Sequence, residues 1–397
     1  MNNIDPDGQG IDELDESALG YIYGDRGEAP DLSASRKRAD FKAWHHPVKQ
    51  FVREKQWLTQ VERLLGQSAD RVVVYLSLPG EDMFDVRVIG DAVKRRGGKL
   101  RLLGFNSRRP EAEIVGAQMN AESILRQEGI ITDDSLTLPD RLQDIVVGRS
   151  HAYRQMASYG RFDIVNIDLC DHLGAAVNGH SIFDVIERIV AHQRASTVPW
   201  LFMLTTRVHP DFIGLAKENF TPPLRKNIEL GAEFAEQLAG VIGVESCVAE
   251  DVERYWGLGG DSLLKIFAVG LGKYLLHLLH NQIQDPAVVE LASCCEYRVE
   301  AQHMDMLSVV FRISPKPKVI IPVDQVGAVE IPSIEINNAI QIARKVSGAV
   351  DVDAVLQDRA ILRELVERTE ALLAVGNYDV SKYRDWLESH SVRPCVV

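Results

Sequence analysis

The sequence predicts an α/β protein with a doubly wound, mostly parallel sheet. Strand-like apolar runs alternate with helix-like segments from residue 46 to 207, and parallel strands need crossovers of about a dozen residues, which helices supply. Two runs, RVVVYLSL at 71–78 and FDIVNIDLCD at 162–171, lead into polar and acidic residues. Open α/β sheets bind ligands at the carboxyl ends of their strands. These two strand ends therefore predict a small-molecule pocket.

The individual elements follow from apolar spacing and from glycine stops. Apolar residues at helical spacing predict a helix from His46 to Gly66. The elements after it alternate, and several of the helices end at a glycine. In chain order they are strand 71–78, helix 83–96, strand 99–105, helix 110–127, strand 130–138, a helix ending near 159, strand 162–169, helix 181–195 and strand 198–206.

The alternation stops after Arg207, where a largely helical elaboration covers about 207–285. Two β-rich runs, 287–301 and 305–313, are separated by three residues, and so short a connection predicts a terminal antiparallel β-hairpin. Residues 315–397 open with a proline-punctuated segment and continue as a predicted C-terminal helical extension. Its apolar stripe predicts packing on its own domain, or else contact with a second copy or another protein.

Composition and charge predict the class of protein and its surroundings. Of a net charge of −13, residues 1–31 hold nine acidic side chains against Arg26 alone, which predicts an acidic, disordered tail over 1–40. Five cysteines without a C-x-x-C motif predict neither a disulfide framework nor a metal site, and favour a reducing, bacterial-type cytoplasm. We expect no signal peptide, because residues 1–20 are polar, and no membrane span, because charged residues interrupt 263–279.

A basic segment follows the acidic tail and includes Lys49, Arg53 and Lys55. Such a segment predicts contact with nucleic acid, which the neighbouring acidic tail would mask. The alternative is an ordinary solvated helix face.

The order of these elements over residues 41–314 resembles the class I SAM-dependent methyltransferase fold, a Rossmann-like family. The resemblance implies S-adenosylmethionine as cofactor, held by the loop after the first strand and by the ends of the second and fourth. The positions that match are Pro79, Gly80, Glu81, Asp82, Asn106 and Asn166. The loop holds one glycine, and Phe105-Asn106-Ser107 stands where the family has an acidic residue. The chain is therefore either an active methyltransferase or a degenerate member.

The fourth strand end, Asn166-Ile167-Asp168-Leu169, is similar to the D-L-D-P type of motif at which the family places the target nitrogen or oxygen, with Cys170 in place of the proline. The resemblance implies that Asp168, Asp171 and His172 are catalytic. Methyl transfer needs an ordered acceptor and a group that removes its proton, and nucleic acid is a candidate acceptor. The alternative is a catalytically silent scaffold or binding module in a bacterial nucleic-acid-processing or defence assembly.

Two further motifs point to different functions. Arg108 and Arg109 favour an NADP-dependent oxidoreductase, although no G-x-G-x-x-G follows strand 71–78. The string GLGGDSLL at 257–264 resembles the attachment site of phosphopantetheine carrier domains, in which Ser262 would bear the cofactor arm. A glycine turn with a helix cap at Asp261 or Ser262 explains the same string.

Overall fold

The computed structural model describes residues 37–66, 71–106, 112–169, 171–280, 287–299, 303–315 and 332–390. Within these residues one mixed sheet contains eight strands, in the order β3-β2-β1-β4-β5-β7-β6-β8. The strands are β1 (Val72–Ser77), β2 (Lys99–Phe105), β3 (Leu136–Leu138), β4 (Ile164–Asp168), β5 (Trp200–Arg207), β6 (Ala287–Tyr297), β7 (Met306–Pro315) and β8 (Val350–Asp351). The predicted α/β class is confirmed.

The first five strands are parallel, and β7 is antiparallel to both β5 and β6. The predicted antiparallel pairing is therefore confirmed, but the pair is not at the edge of the sheet, because β8 lies beside β6 and is parallel to it. β1 lies between β2 and β4, and Ser77 at its end is in register with Gly104 on one side and Asn166 on the other. The carboxyl ends of β1 and β4 are neighbours, as the sequence predicted.

Helices cover both faces of the sheet. They are α1 (Pro47–Phe51), α2 (Thr59–Leu65), α3 (Phe84–Arg95), α4 (Ala112–Gln127), α5 (His151–Ser158), α6 (Ile182–Gln193), α7 (Gly214–Leu230), α8 (Ala232–Ile242), α9 (Val252–Tyr255), α10 (Asp261–His280), α11 (Pro332–Ser347), α12 (Val352–Val355), α13 (Arg359–Val375) and α14 (Tyr383–His390). Buried residues of α1 to α4 form one apolar core, and those of α5 to α8, α10 and α11 form a larger one.

The predicted helix 46–66 differs from the structure in its middle. Residues Val52–Leu58 form a π-helical segment between α1 and α2. A π-helix bonds residue i to i+5, and such segments are frequent at functional sites. Here the continuous helix buries five polar side chains as well as Val52 and Trp57; they are Lys49, Gln50, Arg53, Gln56 and Gln60.

The predicted strand 130–138 is also shorter than expected, since β3 begins only at Leu136. Ile131 makes an isolated bridge to Leu100. The chain then turns, because Ser135 N donates to Thr132 O and the Thr132 hydroxyl donates to Asp134. Side-chain bonds of this kind compete with the strand ladder.

The C-terminal residues pack on the same molecule. Helix α11 joins the larger core beside α8 and α10, and β8 pairs with β6. Helices α13 and α14 form a third apolar cluster with Phe41 and Phe84. Their apolar stripe therefore faces their own chain, and a contact with a second copy or another protein through it stays a prediction. Most of the acidic tail, residues 1–36, lies outside the described residues.

Helix α10 is long and apolar enough, over Asp261–Leu279, to pass a length-and-composition test for a membrane span. However, 78% of this apolar stretch is buried among the other elements. This is the environment of a core helix.

Candidate functional site

A buried polar cluster lies where β1 and β4 end side by side. Tyr75 OH and Ser77 Oγ both donate to Asp85 Oδ2, at 2.9 and 2.6 Å, and Asn166 Nδ2 donates to Tyr75 OH at 3.0 Å. Asp85 is in the first turn of α3, where the helix dipole favours a carboxylate. Asn166, a predicted cofactor residue, is fully buried, and its Oδ1 has no hydrogen-bond partner among the described residues.

Asp168, the predicted catalytic carboxylate, is paired with a lysine from the N-terminal helix. Lys49 Nζ lies 2.5 Å from Asp168 Oδ1 and 5.2 Å from the centre of the Trp57 ring. Burial by itself would lower the pKa of Lys49, but the Asp168 carboxylate outweighs it and the pKa is raised. Lys49 is therefore an ammonium held on Asp168, and it covers the end of β4.

The loop after β1 is engaged in a similar way. Pro79 packs over Gly104 of β2, where a Cβ atom would lie 2.9 Å from the proline ring. Arg38 binds both acidic residues of the loop, with Nη2 2.7 Å from Glu81 Oε1 and Nη1 2.6 Å from Asp82 Oδ1. Gly80 is exposed, with open space where a side chain would begin. The predicted cofactor loop thus holds an arginine of its own chain.

Asp82 has two further partners, which come from opposite ends of the chain. Tyr378 OH donates to Asp82 Oδ2 at 3.0 Å, and His45 Nε2 lies 3.5 Å from the same oxygen. Burial would raise the pKa of Asp82, but His45 and Arg38 outweigh it and the pKa is lowered. Burial lowers the pKa of His45, and Asp82 opposes this effect. Asp82 is therefore a carboxylate surrounded by polar partners.

Two segments meet over this loop, and we name their contacts the terminal clasp: Arg38, Phe41, His45, Tyr378 and Tyr383. Arg38 N donates to Asn377 O at 3.0 Å, and Asp379 N donates to Arg38 O at 2.7 Å. The Arg38 guanidinium lies 4.3 Å from the centre of the Tyr378 ring, and Tyr383 OH donates to His45 O at 2.6 Å. The clasp fastens the N-terminal segment and the C-terminal helices to each other and to the β1 loop.

The remaining predicted site residues occupy the same edge of the sheet but bind other groups. Asn106, just after β2, donates from Nδ2 to Gln118 Oε1 of α4 at 2.9 Å. Asp171 is exposed, and its backbone oxygen accepts from Arg207 N and Thr206 Oγ1. The His172 ring stacks on Phe212 at 4.6 Å. Within the described residues no hydrogen bond joins Asp171 or His172 to Asp168.

The basic residues predicted to contact nucleic acid are divided between interior and surface. Lys49 and Arg53 are 9% and 5% exposed. Arg53 donates to Trp44 O at 3.0 Å, and burial lowers its pKa against the opposing charge of Asp168. They do not form the predicted solvated basic face, because the helix turns them toward the sheet. Only Lys55 is exposed, paired with Glu364 at 2.9 Å, and contact with nucleic acid stays a prediction.

A cavity of about 260 Å³ opens beside the terminal clasp. Its walls come from the β1 loop, from α3 and α4 and from the turn after α13, and include Arg38, Asp82, Phe84, Arg87, Gly116 and Gly376. Neither Asn166 nor Asp168 lines it. The space therefore lies toward β2, away from the predicted catalytic residues.

The other predicted motifs have the following positions. Ser262 is the second residue of α10, and Gly260, with φ +57°, directly precedes the helix. Leu263 and Leu264 are buried. The string thus begins a core helix at Asp261, whereas a cap supplied by Asp261 or Ser262 stays a prediction, as does the carrier interpretation. Arg108, Arg109 and Cys170 lie outside the described residues.

Sequence reasoning missed several residues of this edge. Tyr75 and Ser77 carried a signal, because polar residues alternate on one face of an otherwise apolar strand. Arg38 and Tyr378 carried none, since they meet Asp82 across 44 and 296 residues of sequence.

A family model described as PP_RS20740-like matches residues 38–388. The match spans both halves of the terminal clasp and the whole described sheet. No curated protein matches the chain.

Proposed function

The chain belongs to the PP_RS20740-like family, and we propose that it is a methyltransferase-like binding module whose cofactor edge is closed by its own N-terminal segment. One observation carries this proposal. Of the four acidic residues predicted at the β1 and β4 ends, three pair with Arg38 or Lys49; they are Glu81, Asp82 and Asp168.

These ion pairs oppose cofactor binding energetically. S-adenosylmethionine would have to displace Arg38 from the β1 loop or Lys49 from Asp168. Breaking a buried ion pair by removing one partner costs about 3–5 kcal/mol, because the other charge stays buried. A small ligand would have to supply that free energy before any net affinity appears.

The strand order supports the methyltransferase-like part of the proposal. The order β3-β2-β1-β4-β5 reverses between β1 and β4, and ligands of doubly wound sheets bind at such a point. An antiparallel hairpin then follows at β7 and β6. This is the arrangement implied by the resemblance to class I methyltransferases. A reducing, cytoplasmic setting is part of the proposal, and the free thiols of Cys247, Cys294 and Cys295 agree with it.

Calorimetry of the full chain with S-adenosylmethionine and with its demethylated product tests the proposal. We expect no binding heat at millimolar cofactor. Micromolar affinity that is lost in Gly80→Leu would contradict the proposal. Gly80 is exposed and has room for a side chain, so the variant should fold, and a loss of affinity would place the cofactor at the β1 loop.

A second candidate, an active SAM-dependent methyltransferase with nucleic acid as acceptor, is favoured by the buried Asn166 amide and its unpartnered oxygen. In that case the cofactor would supply a transferable methyl group, and Asp168 would take the proton of the acceptor atom. Lys49 would first have to leave Asp168.

Lys49→Met separates the two candidates. An enzyme closed by Lys49 should gain cofactor binding and transfer of a labelled methyl group in this variant. Lys55→Met is the matched control, because Lys55 is exposed on the same continuous helix. Continued absence of both signals would contradict an enzyme that Lys49 merely blocks and would favour the silent module.

A further inference from the structure

Five side chains form a continuous row beyond the ends of β4 and β5, and we name this row the aromatic patch: Asp171, His172, Phe212, His209 and Asp211. The rings of His172 and Phe212 are stacked, 4.6 Å apart and 7° from parallel, and His209 meets Phe212 at 5.7 Å. Each histidine has a carboxylate beside it. His172 Nε2 lies 3.5 Å from Asp171 Oδ1, and His209 Nδ1 lies 3.5 Å from Asp211 Oδ2.

The backbone holds the patch in place. Asp171 O accepts from Arg207 N and from Thr206 Oγ1, both at 3.1 Å, which fixes the first loop to the end of β5. Residues Pro210–Phe212 form a 3₁₀ turn in which Phe212 N donates to His209 O at 3.0 Å. A surface ordered before binding loses less conformational entropy when a partner arrives.

The patch is open to solvent at its acidic and aromatic groups. Phe212 is 47% exposed, and the Asp171 and Asp211 side chains are 67% and 77% exposed. In the part of the chain that the structure describes, neither carboxylate pairs with a lysine or an arginine. The patch therefore offers an aromatic surface between two carboxylates that have only histidine neighbours.

We propose that the aromatic patch recognises a basic segment of a partner protein, with an arginine guanidinium lying on the exposed surface of Phe212. The inference rests on the proposed binding-module function and names its partner by chemistry. A planar guanidinium stacks on an aromatic ring and hydrogen-bonds a carboxylate with the same group, which a lysine ammonium does less well. The two carboxylates repel phosphates, so the patch disfavours nucleic acid.

Fluorescence anisotropy of the full chain with labelled peptides tests the inference. The probes are peptides of alternating Arg and Gly, Lys and Gly, or Glu and Gly, together with a single-stranded oligonucleotide. We expect the arginine peptide to bind tightest and added salt to weaken it. Phe212→Ala should weaken that binding about threefold to fivefold, because this is the affinity change that corresponds to the free energy of one exposed cation–π contact. Asp171→Asn and Asp211→Asn should each weaken it as well.

Exposed residues elsewhere provide matched controls. Leu230→Ala and Asp133→Asn alter an apolar and an acidic residue at distant exposed positions, and should leave the affinity unchanged. Equal affinity for the arginine and glutamate peptides, tighter binding of the oligonucleotide, or unchanged affinity in Phe212→Ala would overturn the inference.

The same protein sample separates this inference from the proposed function. Cofactor heat together with arginine selectivity would contradict the silent module and leave the patch standing. Absence of both cofactor heat and arginine selectivity would contradict the patch alone.

Discussion

Lys49 Nζ and Asp168 Oδ1 lie 2.5 Å apart although 119 residues of sequence separate them. The pair joins the N-terminal helix to the end of β4, with the Lys49 and Asp168 side chains 11% and 21% exposed. It closes the strand end that the sequence predicted to be catalytic. The same pair sets the first expectation about stability.

Asp168→Asn should lower the free energy of unfolding by about 2–3 kcal/mol, because the Lys49 ammonium then stays largely buried without its counter-ion. Replacing both partners, as Lys49→Met with Asp168→Leu, should bring the stability to within about 1 kcal/mol of the wild type. Urea unfolding of Asp168→Asn, of Lys49→Met and Asp168→Leu separately, and of the double variant measures these free energies.

The control for that cycle is the exposed pair of Lys55 and Glu364. Lys55→Ala should cost less than about 1 kcal/mol, as exposed ion pairs do. If Asp168→Asn lowered the free energy of unfolding by no more than Lys55→Ala does, the ion pair of Lys49 and Asp168 would not stabilise the packing of the N-terminal helix on β4.

Tyr378→Phe should loosen the terminal clasp. The change removes the hydroxyl that donates to Asp82 and should cost about 1–2 kcal/mol, since Asp82 is largely buried. Hydrogen exchange should quicken at 38–45 and 377–383, including the Arg38 and Asp379 amides that cross-link the two segments.

Tyr153→Phe is the control for this variant, because the Tyr153 hydroxyl makes no hydrogen bond among the described residues. If hydrogen exchange quickened throughout the sheet, or did not quicken at the terminal clasp, the clasp would not be a local contact between the two segments.

Glu296, near the end of β6, should make stability depend on pH. Burial raises its pKa to about 7, and within the described parts of the chain its Oε1 has no hydrogen-bond partner. The ordinary glutamate pKa is near 4.5, so between about pH 4.5 and pH 7 the folded state keeps a proton that the unfolded state has lost. Stability therefore falls as the pH rises through this window, by about 3 kcal/mol in total.

Glu296→Gln should remove that dependence. Urea unfolding should find it more stable than the wild type by about 1–3 kcal/mol at pH 8 and nearly equal at pH 4.5. The matched control is Glu290→Gln, at an exposed position on the same strand. A difference for Glu296→Gln that stays constant with pH would contradict the assignment.

Two helical glycines should respond to alanine in opposite directions. A Cβ on Gly270 would lie 2.8 to 3.0 Å from the fully buried Phe220 ring, whereas Gly240 has open space. Gly270→Ala should therefore destabilise by about 1–2 kcal/mol through overpacking, although alanine favours a helix. Gly240→Ala should stabilise by about 0.5–1 kcal/mol. Thermal or urea unfolding measures both, and a stabilising Gly270→Ala would show that Phe220 is free to shift.

Most element types were predictable because they depend on local spacing. The strand at 99–105 and the hairpin at 287–315 follow from apolar runs, turn lengths and glycine stops, which act over a few residues. The π-helical segment at 52–58 and the short β3 were not predictable in this way. The first lies in the continuous helix that buries Lys49 and Arg53, and the second follows a side-chain turn at Thr132.

The sequence by itself determined which strands end in polar residues, and parallel crossovers were enough to bring the ends of β1 and β4 together. Only the tertiary structure decided what meets those ends. Arg38, Lys49 and Tyr378 reach Asp82 and Asp168 through contacts distant in sequence, and no local periodicity encodes such contacts. Burial and charge pairing in the folded chain therefore place Arg38 and Lys49 on the acidic residues of the predicted pocket.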